Sequence, residues 1–149
     1  MALVYFDSSA LVRLVVEEAG SQLAAELWDG CDAALTSRLG YPEVRGALAA
    51  AARNHDLGDD DLLAAEKAWE SFWAATRPVE LTPSVEQRAG QLARENALRG
   101  ADAVHLASAL AIDDPALVVA VWGRRLHAGA LASGVQVSPA NLGEESEAP

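Results

Sequence analysis

Three acidic residues stand where a carboxylate can do chemistry. Asp7 directly follows the apolar run Ala2 to Phe6. Glu43 lies seven residues beyond Thr36, which ends a second apolar run, and Asp102 opens the helical stretch that leads to another, Leu117–Val121. Each has an ordinary explanation by itself. An acid at a helix start accepts free backbone N–H groups and suits the positive end of the helix dipole, and Glu43 alone would be a solvated helix residue. Brought together at one edge of a sheet, the three would repel one another unless a cation neutralised them. Ligands that are all oxygen select Mg²⁺ or Mn²⁺.

The elements that must position these acids read as an alternation of short apolar runs and helical stretches. Strands are predicted at 2–6, 33–36, 79–81, 117–121 and 135–137. Unbroken apolar runs of this length suit strands buried on both faces. Asp7-Ser8-Ser9 reads as a helix N-cap cluster, followed by an apolar stripe that lasts until Glu17-Glu18. Further helices are expected from Gly20-Ser21, from about Ser37 to Arg53, from Gly58 to about Thr76, from Thr82 to about Leu98, from Asp102 to Ile112 and from Arg124 to Ala132. Pro42 leaves the start of the second of these open: it sits in the first turn or marks the true start. Such alternation predicts a parallel sheet covered by helices on both faces, an α/β/α sandwich. Ligands of such sheets sit at the carboxyl ends of the strands, which is where Asp7, Glu43 and Asp102 are expected.

Composition bounds the function. The chain has 149 residues, the size of one domain, and is 51% hydrophobic. Eleven basic and 22 acidic residues give a net charge of −11. That excludes a purely electrostatic nucleic-acid coat and a polybasic membrane binder, but not a metal-dependent enzyme acting on RNA or DNA. Cys31 is the lone cysteine, so there is no internal disulfide and no cysteine-based zinc cage, and a reducing compartment is expected. No run reaches the ~20 apolar residues of a membrane helix, and the N-terminus lacks the basic segment of a signal peptide. A cytoplasmic protein is expected, with one domain over 1–142 and a polar, acidic, disordered tail at 143–149.

Four segments make the chain recognisable. Asp7-Ser8-Ser9-Ala10-Leu11-Val12 resembles the opening of PIN domains. Thr36-Ser37, then Tyr41-Pro42-Glu43-Val44-Arg45, resembles the family's second acidic motif. Gly100-Ala101-Asp102-Ala103-Val104-His105-Leu106-Ala107 resembles the third and is the most specific of the set; Val118 to Leu126 resembles the fourth. The match covers about residues 2 to 142, and in size and style it is similar to the VapC toxins of toxin–antitoxin pairs. The resemblance implies a five-stranded parallel sheet, an Mg²⁺- or Mn²⁺-dependent endoribonuclease, a VapB antitoxin partner and a homodimer. It implies direct metal ligation by Asp7 and Asp102. Glu43 would bind through water or orient the attacking water.

The fourth motif departs from the family. It ordinarily carries an acid before the Arg-Arg-Leu segment, and that position is Gly123 here; Val121 stands where a Thr is often found. The fourth ligand is absent from the sequence. Asp113 and Asp114 precede the fourth strand, so they belong to its opposite end. This keeps a second reading open, a catalytically inactive PIN-fold protein that binds antitoxin or RNA without cutting. A receiver-type phosphate-transfer domain also gathers acids at strand ends, but it needs a lysine near the site, and the lone Lys67 is far from every motif.

The remaining candidates are weighed in the same way. Ser9 either hydrogen-bonds a site carboxylate and fixes its rotamer or is a plain helix-start serine. Arg124 and Arg125 either contact RNA phosphate or open a solvated helix; Arg38 and Arg45 are further local cations. His105 reads as a buried or supporting histidine and not as a base. His55 and His127 have no partner at zinc-ligand spacing. Trp69 and Trp73 read as core, Cys31 as a small buried residue, and Asp59–Asp61 as a helix N-terminus.

Overall fold

The computed structural model describes residues 1–143. All but the first residue of the expected tail lies outside the described residues. The order of elements is β1 (Leu3–Phe6), α1 (Ser8–Val15), α2 (Ser21–Gly30), β2 (Ala33–Ser37), α3 (Gly40–Arg53), α4 (Asp59–Ala74), β3 (Arg77–Val79), α5 (Pro83–Glu95), α6 (Gly100–Ala111), β4 (Val118–Ala120), α7 (Arg124–Ala132) and β5 (Gln136–Ser138). The five strands form one sheet in the order β3-β2-β1-β4-β5, and every neighbouring pair is parallel. The expected sandwich with a five-stranded parallel sheet is the observed architecture.

The unbroken apolar run of β1 has a simple cause. Successive side chains of a strand point to opposite faces, and β1 has a helical layer on each. Tyr5 packs with Leu92, Leu106, Val119 and Leu126, so α5, α6 and α7 cover one face. Val4 and Phe6 pack with Leu11, Val44, Leu48 and Trp69, so α1, α3 and α4 cover the other. Trp28 of α2 joins that second core by meeting Phe6 and Phe72 edge to face. Trp69 is wholly buried, as the sequence suggests, whereas Trp73 is half-buried beside it.

Several boundaries differ from the sequence reading. The third strand lies two residues upstream of 79–81. Pro78 argues against a strand, but β3 is an edge strand, where a residue without an N–H is tolerated. Pro42 sits within the first turn of α3, which begins at Gly40. That glycine is needed for close packing, since a Cβ there would lie 3.0 Å from Thr36 Oγ1 and 3.3 Å from Leu11 Cδ1. Helix α1 ends at Val15, before the acidic pair, as Val16 turns extended. Cys31 is only partly buried, and its Sγ donates to the Trp28 carbonyl at 3.2 Å.

The strand order places a switch point at β1. The chain moves from β1 outward to β2 and β3, then returns to the other side of β1 for β4 and β5. Crevices form at the carboxyl ends of strands at such points. Here that is the gap above Phe6 and Ala120, which are register partners.

Candidate active site

Asp7 is the first residue past β1 and stands at the switch point. Its backbone N–H donates to the Ala120 carbonyl of β4 at 3.2 Å. It is the N-cap of α1, with Oδ1 accepting from Ala10 N–H at 3.0 Å. The same oxygen accepts from Ser9 Oγ at 2.5 Å. Ser9 in turn accepts from Trp122 N–H at 3.0 Å, so the loop after β4 is tied to the Asp7 carboxylate through one hydroxyl. Trp122 is held by packing: the Arg13 guanidinium lies 4.8 Å from its ring centre, and the ring lies over Gly20. Gly20 has φ +90°, and a Cβ there would come within 2.5 Å of the indole nitrogen, so only glycine fits this turn.

Asp7 is 4% exposed. Burial raises its pKa above the ordinary carboxylate range, and the charge of Asp102 adds to the rise. The hydrogen bonds from Ser9 and Ala10 act the other way, as a protonated His105 would. Both of those hydrogen bonds fall on Oδ1. Among the described residues no protein donor reaches Oδ2.

Asp102 lies in the first turn of α6, whose N-cap is Arg99, so it is not the cap that an acid at a helix start would suggest. It is half-buried and close enough for its charge to act on Asp7. Glu43 comes from the opposite helical layer, in the first turn of α3. Its Oε1 lies 2.5 Å from Nε2 of His105 on α6, a contact that bridges the two layers. His105 is 1% exposed, and its Nδ1 lies 2.7 Å from the Tyr5 hydroxyl. Thr36, at the end of β2, donates to the Phe6 carbonyl at 2.7 Å and closes the sheet edge beneath the site.

Gly123 caps α7 just past β4 with an extended backbone, φ −69° and ψ 126°. It is exposed, and a Cβ placed there would meet nothing within 4 Å. Arg124 and Arg125 follow it, both exposed. Arg38 pairs with Glu80, and Arg45 with Glu66 and Glu70, so neither is an uncommitted cation. Asp113 and Asp114 line a cleft of about 380 Å³ at the start of β4, the far end of the sheet from Asp7, as their place in the sequence implies. His127 is committed elsewhere, its Nε2 lying 2.8 Å from the Pro139 carbonyl.

Among the described residues, no three His, Cys, Asp or Glu side chains form a ready metal cage. The donor set fits a cation of another kind. Mg²⁺ keeps several waters and is commonly bound through one or two carboxylates. A buried carboxylate with one oxygen free of protein donors, beside a second acid that raises its pKa, is such a pair. Glu43, drawn back onto His105, stands at one remove from it. The sequence reading passed over Tyr5 and Trp122. A tyrosine in a fully apolar strand was the available signal, because a buried hydroxyl must find a partner.

Comparison with known proteins agrees with this geometry. The PIN domain family model matches residues 4–120. Ribonuclease VapC45 of Mycobacterium tuberculosis is 72% identical over 142 residues, covering 95% of this chain and 99% of the relative. The crystal structure of PAE2754 from Pyrobaculum aerophilum superposes with a TM-score of 0.64 at 23% identity, over 99% of this chain and 98% of that one. A toxin–antitoxin complex from Klebsiella pneumoniae gives a TM-score of 0.59 at 21% identity, over 87% and 92%. The chain belongs to the PIN-domain family, among the VapC ribonuclease toxins of toxin–antitoxin systems.

Proposed function

We propose that this protein is the toxin of a VapBC-type pair and cleaves phosphodiesters in tRNA or another structured RNA, with Mg²⁺ or Mn²⁺ held by Asp7 and Asp102. The observation that carries this reading is the Asp7 carboxylate, buried at the switch point with one oxygen anchored and the other open. A divalent cation bound there would supply Lewis-acid stabilisation of the phosphoryl oxygens and a more acidic attacking water. The chain's own residues do the rest. Ser9 and the Ala10 amide fix the Asp7 rotamer, and Asp102 supplies the second oxygen ligand. Glu43 orients the attacking water. Arg124 and Arg125, at the positive end of α7, contact RNA phosphate. Arg38 and Arg45 serve the fold through their acidic partners.

Residues 1–142 act as one domain, as a homodimer in the cytoplasm, where RNA is found; no helix among the described residues is long and apolar enough to cross a membrane. The antitoxin partner places a basic side chain in the acidic site and takes the metal's electrostatic role. Gly123 contributes no ligand, which weakens metal binding. That observation favours one further reading, a member that binds antitoxin or RNA without cutting.

The test is cleavage of a total tRNA pool by the purified protein with Mn²⁺, with EDTA, and with Asp102→Asn. Cleavage that requires Mn²⁺ and drops at least about 100-fold in the variant supports the ribonuclease reading. Antitoxin capture without cleavage of any RNA supports the non-cutting one.

A further inference from the structure

Glu43 is held by a chain of hydrogen bonds that runs from the middle of β1 across the sheet edge to α3. Tyr5 is wholly buried, and its hydroxyl accepts from the Ser37 N–H at 3.0 Å. The same oxygen lies 2.7 Å from His105 Nδ1, and the two rings meet edge to face with centres 5.9 Å apart. His105 Nε2 then lies 2.5 Å from Glu43 Oε1. The three residues come from β1, α6 and α3, and so from the sheet and both helical layers.

Counting protons gives the chain a direction. The Tyr5 oxygen carries one proton and already accepts from Ser37. Ser108 and Thr36, the nearby hydroxyls, spend their protons on the carbonyls of Val104 and Phe6. Neither donates to Tyr5, and the 2.7 Å contact directs the Tyr5 proton to Nδ1 of His105; a neutral imidazole that accepts at Nδ1 carries its proton on Nε2. That N–H faces Oε1 of Glu43, an oxygen placed to accept it. Every group in the chain is satisfied in one direction, from Ser37 through Tyr5 and His105 to Glu43. Among the described residues no protein donor reaches Glu43 Oε2, and the side chain keeps a quarter of its surface exposed.

We infer that Tyr5 and His105 are positioning residues for Glu43: Tyr5 selects the Nε2–H tautomer of His105, which pins Oε1 and leaves Oε2 to hold water at the metal site. The inference deepens the ribonuclease reading and rests on Glu43 belonging to that site. It assigns a task to a tyrosine and a histidine that core packing alone does not need, since phenylalanine and leucine would fill the same space.

The test is nitrogen NMR of the His105 ring in the metal-free protein, which reports the tautomer without any catalysis. The expected result is a single Nε2–H form in the wild type, a mixture of tautomers in Tyr5→Phe, and a shifted Nε2–H signal in Glu43→Gln. An Nδ1–H or doubly protonated ring in the wild type, or an unchanged ring in Tyr5→Phe, overturns the inference. With RNA and Mn²⁺, Tyr5→Phe should lower kcat about tenfold and leave KM within about twofold. His105→Gln, which keeps a donor for Glu43, should retain more activity than His105→Leu. Equal loss in those two folded variants also overturns it. Should the wild type cut no RNA while the ring signals behave as expected, the ribonuclease reading fails and the hydrogen-bonded chain stands.

Discussion

On the β1 side of the sheet's carboxyl edge, the Asp7 carboxylate accepts two hydrogen bonds on one oxygen, and Glu43 is tied to a buried histidine. On the β4 side, Gly123 is exposed, and a carbon added to it would touch nothing within 4 Å. Both stand past the carboxyl ends of neighbouring strands, Asp7 after β1 and Gly123 after β4. The first side holds carboxylates against their mutual repulsion with partners contributed by α1 and α6. The second has an extended N-cap at Gly123 with the helix start behind it, and no side chain there. The difference teaches that the supporting shell of a site and its ligand count are separate properties. The shell is paid for in buried polar contacts that must all be satisfied, whereas one exposed ligand can be lost with little consequence for the fold.

The largest effect comes from breaking the built side. Asn at position 7 keeps the size of Asp and its ability to cap α1, and removes only the charge. Asp7→Asn is expected to lower Mn²⁺ affinity at least about tenfold and RNA cleavage about 100-fold or more. In the metal-free protein the same change should raise the thermal midpoint, because it removes a desolvated charge beside Asp102. Calorimetric titration and melting in EDTA measure the two halves. Equal Mn²⁺ affinity in both proteins would remove Asp7 from the metal site.

A smaller effect should follow from completing the open side. Gly123 has an extended φ of −69°, which any residue adopts, and open space around it, so Gly123→Asp introduces no strain. The new carboxylate should raise Mn²⁺ affinity and cleavage together by about tenfold, a gain of ~1.4 kcal/mol. An Asp N-cap is also better than Gly by a few tenths of a kcal/mol, so a rise in metal-free stability decides nothing. The deciding quantity is the increase in thermal midpoint on adding Mn²⁺, which should be greater in the variant. If that increase and cleavage both match the wild type, position 123 is not the vacant ligand position.

The fold was legible because its signals are local and redundant. The apolar runs at 2–6 and 117–121, within which β1 and β4 lie, the Asp7 N-cap and the Thr82-Pro83 helix start each follow from a few adjacent residues, and the alternation of strands and helices leaves few topologies. The third strand was misplaced because Pro78 carries the opposite local signal, which only its edge position neutralises. At the candidate site, the sequence suggests Asp7 and Glu43 through their spacing after strands, Asp102 through its place at a helix start, and all three through family resemblance. Their supports were not. Trp122 meets Ser9 across 113 residues and Tyr5 meets His105 across 100. Contacts of that range depend on the register of β1 against β4 and on the layer each helix joins, which no local pattern carries.

The smallest expected effect is a pH dependence that separates the two sides by charge alone. Burial, reinforced by Asp102, raises the pKa of Asp7 in the folded protein above the ordinary value of 3.8. Below that value both folded and unfolded chains hold the proton, and Asp7 has no effect on stability. As pH rises through it, the unfolded chain releases its proton first, so stability is lost until Asp7 ionises in the folded state as well, and the loss persists above that pH. Glu80 works in the opposite sense, because Arg38 holds its pKa down, but that pair is exposed and contributes little. The comparison of wild type with Asp7→Asn cancels Glu80 and every other group outside the site. Melted in EDTA from about pH 4 to about pH 8, the variant's advantage in thermal midpoint should grow with pH, and adding Mn²⁺ should shrink or reverse it, since the cation stabilises only the charged form. An advantage that stays constant across that range, or falls, would mean that Asp7 ionises in the folded protein as easily as in the unfolded chain. The built side would then owe its hydrogen bonds to capping α1 and not to restraining a buried charge.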